Sequence, residues 1–113
     1  MNLVRLASEK RAEHGLKRQV IAALSTIYDP ELPVNIHDLG LIYALDIDSA
    51  GHVEIQMTLT APGCPVAQSF PAQVEQTVAA VEGVASAHVE IVWDPPWEQS
   101  RMTEAARLQL GLV

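Results

Sequence analysis

The chain has 113 residues, 14 of them acidic and 7 of them Lys or Arg, so its formal net charge is −7. The basic residues concentrate before residue 19, after which only Arg101 and Arg107 follow, so we do not expect the basic surface that binding to nucleic acid requires. The single cysteine excludes an internal disulfide. The sequence has no apolar run typical of a signal peptide or a membrane span, so we expect a cytoplasmic protein that does not enter membranes.

The N-terminal part predicts an arm followed by a helix. Residues 1–14 mix charged and single apolar residues, and we expect one domain over residues 15–113. The first apolar positions of this domain have helical spacing: Leu16, Val20, Leu24 and Ile27. They predict a helix that ends by Tyr28, because Pro30 disfavours helical geometry in the residue before it.

Two strand patterns then flank a turn at residues 48–51. The first pattern alternates through four apolar side chains that we expect on one face: Leu41, Tyr43, Leu45 and Ile47. The second places four apolar side chains on one face: Val53, Ile55, Met57 and Leu59. Its other face is polar: His52, Glu54, Gln56, Thr58 and Thr60. The two patterns predict an antiparallel hairpin with one buried face.

The second half of the chain predicts a helix, a strand and a short last helix. Apolar residues from Phe70 to Val81 mark the helix, and Pro71 means that either the regular helix starts near that residue or its first turn is irregular. The strand covers residues 86–93. The last helix lies around residues 103–110, with Thr103 as its cap. This order of elements predicts a two-layer α/β (α+β) fold, in which helices cover one face of a three-stranded mixed sheet.

The only cysteine, Cys64, lies in the segment T-A-P-G-C-P at 60–65, hereafter the cysteine segment. Gly63 permits a sharp turn, while Pro62 and Pro65 stiffen both sides of the cysteine. Pro65 is also favoured in the first turn of a helix, where unpaired amides and the helix dipole stabilise a thiolate. A thiolate attacks electrophiles or binds metals; the alternative is an inert buried cysteine.

A second candidate site is the connection D-P-E-L-P-V-N-I-H-D-L-G at residues 29–40, hereafter the acidic loop. Asp29, Glu31 and Asp38 could supply ligand or acid–base oxygens, and His37 a nitrogen. The alternative is that these residues only shape or cap the connection. Their density in one loop favours a site, because functional residues concentrate on loops.

Two tryptophans form a third candidate. Trp93 and Trp97 bracket D-P-P in the W-D-P-P-W stretch, hereafter the tryptophan segment. Three interpretations are open: the rings cover one end of the core, form a wall beside the thiol, or form a docking patch for a partner.

These three segments occur together in one order, with D-P-E-L-P-V-N-I-H-D-L-G extended by L-I-Y. On these motifs the chain resembles the metal-sulfur cluster biosynthetic family, and within it the SufT-type accessory proteins of bacterial iron–sulfur assembly, from about residue 17 onward. The resemblance implies a fold like that of iron–sulfur cluster assembly domains. It also implies a factor that is not an enzyme and that matures iron–sulfur proteins as a carrier or an adaptor.

The resemblance places the family cysteine on Cys64 and the family's acidic residues on Asp29, Glu31 and Asp38. A cluster generally takes four protein ligands, mostly thiolates, and one chain offers a single thiol. We therefore expect Cys64 to be a transient ligand, with the acidic loop adding ligands or lining the site. A second chain in a homodimer, a small thiol or the partner that holds the cluster would fill the open positions.

The expected partners are iron–sulfur assembly proteins and client apoproteins. No nucleotide-binding motif is present, so any ATP-driven step would come from a partner. The main alternative is a thiol-independent adaptor that binds machinery and clients through the sheet edge or the tryptophan segment. A related branch forms an accessory subunit of an oxygenase complex and carries a cysteine-rich C-terminal tail, which this sequence lacks. A Cys–His hydrolase is disfavoured because nothing in the sequence fixes a base or an oxyanion hole.

Overall fold

The computed structural model describes residues 15–29, 32–60 and 69–112. Helix α1 covers residues 15–24. The elements that follow are β1 (Ile42–Ile47), β2 (His52–Met57), α2 (Phe70–Ala79), β3 (Ser86–Ile91), a 3-10 turn (Gln99–Arg101) and α3 (Glu104–Gln109). This order confirms the predicted fold class. The predicted arm, residues 1–14, lies outside the described residues.

The three strands form one mixed sheet in the order β1-β2-β3. Strand β1 pairs with β2 antiparallel, and β3 pairs with β2 parallel. The second strand buries every other residue, as its pattern predicts, with Val53, Ile55 and Met57 in the core and the residues between them exposed. Helix α2 connects β2 to β3 and turns Val74 and Val78 into the same core. The helices therefore cover one face, and the other face of the sheet is open.

The alternation predicted for β1 is wrong at Tyr43. A bulge between Ile42 and Ala44 leaves Tyr43 outside the strand ladder and pairs Ile42 with Met57 of the buried face. An extra residue in one strand reverses which face the neighbouring side chains occupy. The Tyr43 hydroxyl instead donates to the carbonyl of Pro95, at 2.8 Å.

Local signals at the turns and caps are confirmed. The Asp48 carboxylate accepts from the amides of Ala50 and His52, both at 2.9 Å, and closes the turn between the first two strands. Thr103 caps α3, with its hydroxyl accepting from the amide of Ala106 at 3.2 Å. No helix in the described ranges is long and apolar enough to cross a membrane.

The described part of the acidic loop contributes buried residues to the core. Three of its residues and the one that follows it are fully or almost fully buried: Val34, Ile36, Leu39 and Leu41. These apolar residues belong to the same buried cluster as the inward residues of α1, β2 and α2, and this anchors the polar residues between them.

Candidate functional site

The structure describes two of the four predicted ligand residues. Asp29 and Asp38 lie in the described ranges, whereas Cys64 and Glu31 lie outside the described residues. What the structure adds is the geometry of the acidic loop and of the strand that leads to the cysteine segment.

The end of β2 is held between the two other motif segments. The amide of Thr58 donates to the carbonyl of Leu41, the residue after the acidic loop, at 2.8 Å. The amide of Val92, directly before the tryptophan segment, donates to the carbonyl of Met57 at 2.8 Å. The topology explains this convergence. Because β1 is antiparallel to β2 and β3 is parallel to it, the start of β1 and the end of β3 both lie beside the end of β2.

Asp29 is a nearly buried carboxylate, with 8% of its surface exposed. Its Oδ2 accepts from the amide of Leu32 at 2.8 Å, and its own amide donates to the carbonyl of Val34 at 3.1 Å. A carboxylate that accepts from an amide further along the chain forms a local turn. Asp29 therefore shapes the entrance of the acidic loop.

Asp38 and Asn35 form a reciprocal pair. The Asp38 amide donates to Asn35 Oδ1 at 2.8 Å, and Asn35 Nδ2 donates to Asp38 Oδ2 at 3.0 Å. The first bond is that of an N-cap, in which a side-chain oxygen accepts from the amide three residues later, and the second joins the two side chains. The second carboxylate oxygen, Oδ1, lies 3.7 Å from Nδ1 of His37, and both side chains are partly exposed. One oxygen of Asp38 thus orders the loop, and the other faces a partly solvated region.

The described residues form no metal site by themselves. No group of three or more His, Cys, Asp or Glu side chains within the described ranges is placed to hold a metal ion. A ligand role for Asp29 and Asp38 therefore stays a prediction that depends on Cys64 and Glu31.

Residues 97–109, hereafter the C-terminal segment, donate three hydrogen bonds to main-chain carbonyls of the acidic loop. Trp97 Nε1 donates to the carbonyl of Leu39 at 2.7 Å. The amide of Thr103 donates to the carbonyl of Asp38 at 2.9 Å. At the other end of the loop, Gln109 Nε2 donates to the carbonyl of Pro33 at 2.8 Å. The sequence carries little signal for these contacts, because each of them ends on a main-chain carbonyl.

The two tryptophans differ in their surroundings. Trp97 is partly buried and packs against the core, so the structure supports its interpretation as a cover for one end of the core. Trp93 leaves 47% of its surface exposed. A docking role for either ring stays a prediction.

Thr58 is a residue of this region that the sequence pattern assigns wrongly. It follows β2 directly and takes a polar place in the predicted alternation, yet only 1% of its surface is exposed. Its Oγ1 is buried, and within the described part of the chain it has no hydrogen-bond partner. A buried hydroxyl without a partner is uncommon in folded proteins. Thr58 marks the start of the path from the sheet to the cysteine segment.

The pKa values of His88 and Asp48 are shifted, and both residues lie away from this region. On the open sheet face, a hydrogen bond from His88 Nδ1 to Glu54 Oε2 at 2.9 Å raises the pKa of His88. In the turn before β2, the backbone hydrogen bond from His52 lowers the pKa of Asp48, and burial acts in the opposite direction.

Comparison with known proteins matches these motifs to one group. The sequence model of a family described as iron–sulfur cluster assembly proteins matches residues 17–91. An Fe-S protein maturation auxiliary factor of Porphyromonas gingivalis is 41% identical over 97 residues, which cover 86% of this chain and 92% of the relative. The Fe-S protein maturation auxiliary factor SufT of Staphylococcus aureus is 37% identical over 86 residues, 76% of this chain and 98% of the relative.

The fold has a solved counterpart. The crystal structure of a domain of unknown function from Bacillus anthracis superposes with a TM-score of 0.83 at 33% identity, over 92% of this chain and 99% of that chain. The sequence matches confirm the resemblance inferred from the three motifs, and this structure confirms the fold that the resemblance implies.

Proposed function

Because the chain belongs to the family of iron–sulfur cluster assembly proteins, we propose that it is an accessory factor that helps to deliver clusters to client apoproteins. The observation that carries the proposal is the convergence at the end of β2. The strand that leads to the only cysteine is flanked there by the acidic loop and the tryptophan segment. The expected partners are assembly proteins and clients of the cytoplasm, where a single thiol stays reduced.

In this proposal the cluster is cargo, and Cys64 is its transient ligand. One thiolate cannot satisfy a cluster that takes four ligands, so the remaining positions belong to a second chain, a small thiol or the partner. Incomplete ligation makes the cluster labile, which suits delivery rather than storage. The proposal requires neither covalent catalysis by this chain nor a nucleotide bound to it.

Asp38 has a defined part in the proposal. Its Oδ2 is engaged by Asn35, which leaves Oδ1 as the oxygen that can line or ligate the transfer site. The substitution Asp38→Asn separates the two roles, because the amide oxygen can still accept from Asn35 while NH2 replaces the other oxygen. Its folding should be preserved, and its delivery should be slower.

The test is the activation of a [4Fe–4S] hydro-lyase apoprotein under anaerobic conditions, with a cluster-loaded scaffold protein as donor. We expect the wild-type chain to raise the initial rate of activation, Cys64→Ser to lower it to the rate without the factor, and Asp38→Asn to give an intermediate rate. Urea unfolding of each variant controls for stability. Full activity of Cys64→Ser would remove the thiol from the mechanism.

The exposed ring of Trp93 favours a second candidate, an adaptor that does not use its thiol. An adaptor predicts that the Cys64→Ser protein still binds the apoprotein client, whereas Trp93→Ala weakens that binding. Trp97 is unsuitable for this test, because its loss also removes the hydrogen bond to Leu39 of the acidic loop. Isothermal titration of the client with both variants distinguishes the two candidates.

A further inference from the structure

Arg101 is a cation that stacks on Tyr43 and has no counter-ion among the described residues. Its guanidinium carbon lies 4.5 Å from the ring centroid of Tyr43. Within the described residues, no carboxylate pairs with Arg101 and its side chain makes no hydrogen bond. A guanidinium has five N–H donors in a planar fork, and stacking on a ring leaves its edge available. The edge of Arg101 is therefore free to bind an acceptor.

The surroundings of Arg101 are fixed before any ligand arrives. The Tyr43 hydroxyl is held by the carbonyl of Pro95, so the ring under the guanidinium cannot turn freely. The backbone of Arg101 packs directly against Gly40, and a Cβ there would overlap its carbonyl oxygen. The next residue, Met102, is buried in the core. Immobilising a long side chain in advance removes part of the entropic cost of binding.

The guanidinium borders an open depression of about 420 Å³ at the surface. Its walls are formed by Gly40, Ile42, Tyr43, Pro95 and Arg101. The walls are about equally polar and apolar: Arg101 supplies a cation, and Ile42 and Pro95 supply apolar surface. Binding sites use a few fixed polar groups to orient a ligand against such apolar surface, so the depression fits a carboxylate that has apolar neighbours.

The charge of the whole chain narrows the choice of ligand. At a net charge of −7, the protein repels free anions at long range, and a dianionic phosphate more than a single carboxylate. A carboxylate on a protein surface is brought to Arg101 by the surrounding contacts, and the planar fork then binds it through two hydrogen bonds. Tyrosine and arginine are also the residues that most often dominate protein interfaces.

From the stacked guanidinium, its fixed frame and the depression beside it, we propose that Arg101 binds the carboxylate of an acidic side chain on a protein partner. Tyr43 is the positioning residue, and Ile42 and Pro95 contact the apolar neighbours of that side chain. The inference goes beyond cluster delivery, because it requires neither Cys64 nor iron. The proposed binding site lies beside the acidic loop. Thr103, two residues after Arg101, donates its amide to the carbonyl of Asp38 in that loop.

The test is a titration of the ¹⁵N-labelled full chain, at low ionic strength, with the capped peptide Ac-Ala-Leu-Glu-Leu-Ala-NH2. We expect shifts at the amides of Gly40, Ile42 and Arg101 and at the Arg101 Nε–Hε signal. The peptide with Gln in place of Glu should bind about tenfold more weakly, because it lacks the charge that strengthens the hydrogen bonds. Iron and clusters are absent, so this test can succeed or fail independently of the activation assay.

Matched variants separate the site from a general charge effect. Arg101→Gln should lower the affinity for the Glu peptide about tenfold, and Arg101→Lys should lower it less, because the charge remains without the fork. Arg18→Gln makes the same change of charge at an exposed position of α1 and should leave the affinity within about twofold. Tyr43→Phe, which keeps the ring and removes its hydroxyl anchor, replaces Arg101→Gln if that variant does not fold.

Three results would overturn the proposal. Equal affinity for the Glu and Gln peptides would show that the carboxylate is not what binds. Equal losses of affinity in Arg101→Gln and Arg18→Gln would show that Arg101 is not a specific site. The third is that sodium acetate or inorganic phosphate shifts the same signals at the same concentration as the peptide. The depression would then be a site for small anions and not for a protein partner.

Discussion

The contact between Gly40 and Arg101 gives a prediction whose size can be worked out from the structure. Gly40 has φ of +78°, and a Cβ built on it would overlap the backbone carbonyl of Arg101. A non-glycine residue in the left-handed region costs about 1–2 kcal/mol. Overlap with a fixed neighbour adds about 1–3 kcal/mol, because backbone must shift to relieve it. Gly40→Ala should therefore lower the free energy of unfolding by about 2–5 kcal/mol.

Gly111→Ala is the matched control for this prediction. Gly111 has a similar φ of +73°, but apart from its chain neighbours no atom of the described residues lies within 4 Å of the position of its Cβ. It should lose only the conformational part, about 1–2 kcal/mol or less. Urea unfolding followed by circular dichroism measures both variants. A loss in Gly40→Ala no larger than that in Gly111→Ala would refute the close packing of the acidic loop against the 3-10 turn, and with it the fixed frame of Arg101.

Three further predictions each concern one polar side-chain group and its hydrogen bond, or the lack of one. Thr58→Val should leave the free energy of unfolding unchanged or raise it by up to about 1 kcal/mol, because Oγ1 has no partner in the described structure; a clear loss in urea unfolding would show that the hydroxyl is paired. Trp97→Phe should lower the free energy of unfolding by about 1 kcal/mol through loss of the bond to Leu39, and no change would contradict that bond. Glu54→Gln should lower the pKa of His88, measured by NMR titration, because Glu54 is the main cause that raises it. Since the folded pKa is raised, this pair stabilises the fold below the unfolded pKa of about 6.5 and loses its effect as pH rises through the folded value; an unchanged pKa would contradict the pairing.

Local patterns predicted most of the fold. The period of β2, the turn at Asp48 and the cap at Thr103 are short-range features, and each is confirmed. The bulge at Tyr43 escaped prediction because Ile42 and Tyr43 are both compatible with the core, so either phase of β1 satisfies an apolar alternation. The order of the strands depends on long-range pairing, which a single sequence does not encode in any local pattern.

The candidate site was predictable only in part. Asn is a favoured N-cap residue and Asp38 follows three residues later, so the pairing of Asn35 with the Asp38 amide carried a signal in the sequence. The burial of Thr58 carried none, because its place in the alternation is polar and its cover comes from the tertiary structure. Cys64 and Glu31 lie outside the described residues, so their roles remain predictions from the motifs.

The main chain and the side chains of the acidic loop have different roles. Its carbonyls at Asp38 and Leu39 face the C-terminal segment and are bonded to Thr103 and Trp97. The Oδ1 atom of Asp38 takes no part in those bonds. A substitution that removes one of those bonds, such as Trp97→Ala, therefore also disturbs the loop, and its effect on delivery cannot be attributed to docking alone. Only changes that keep those main-chain bonds, such as Asp38→Asn or Trp93→Ala, separate cluster transfer from the architecture that supports it.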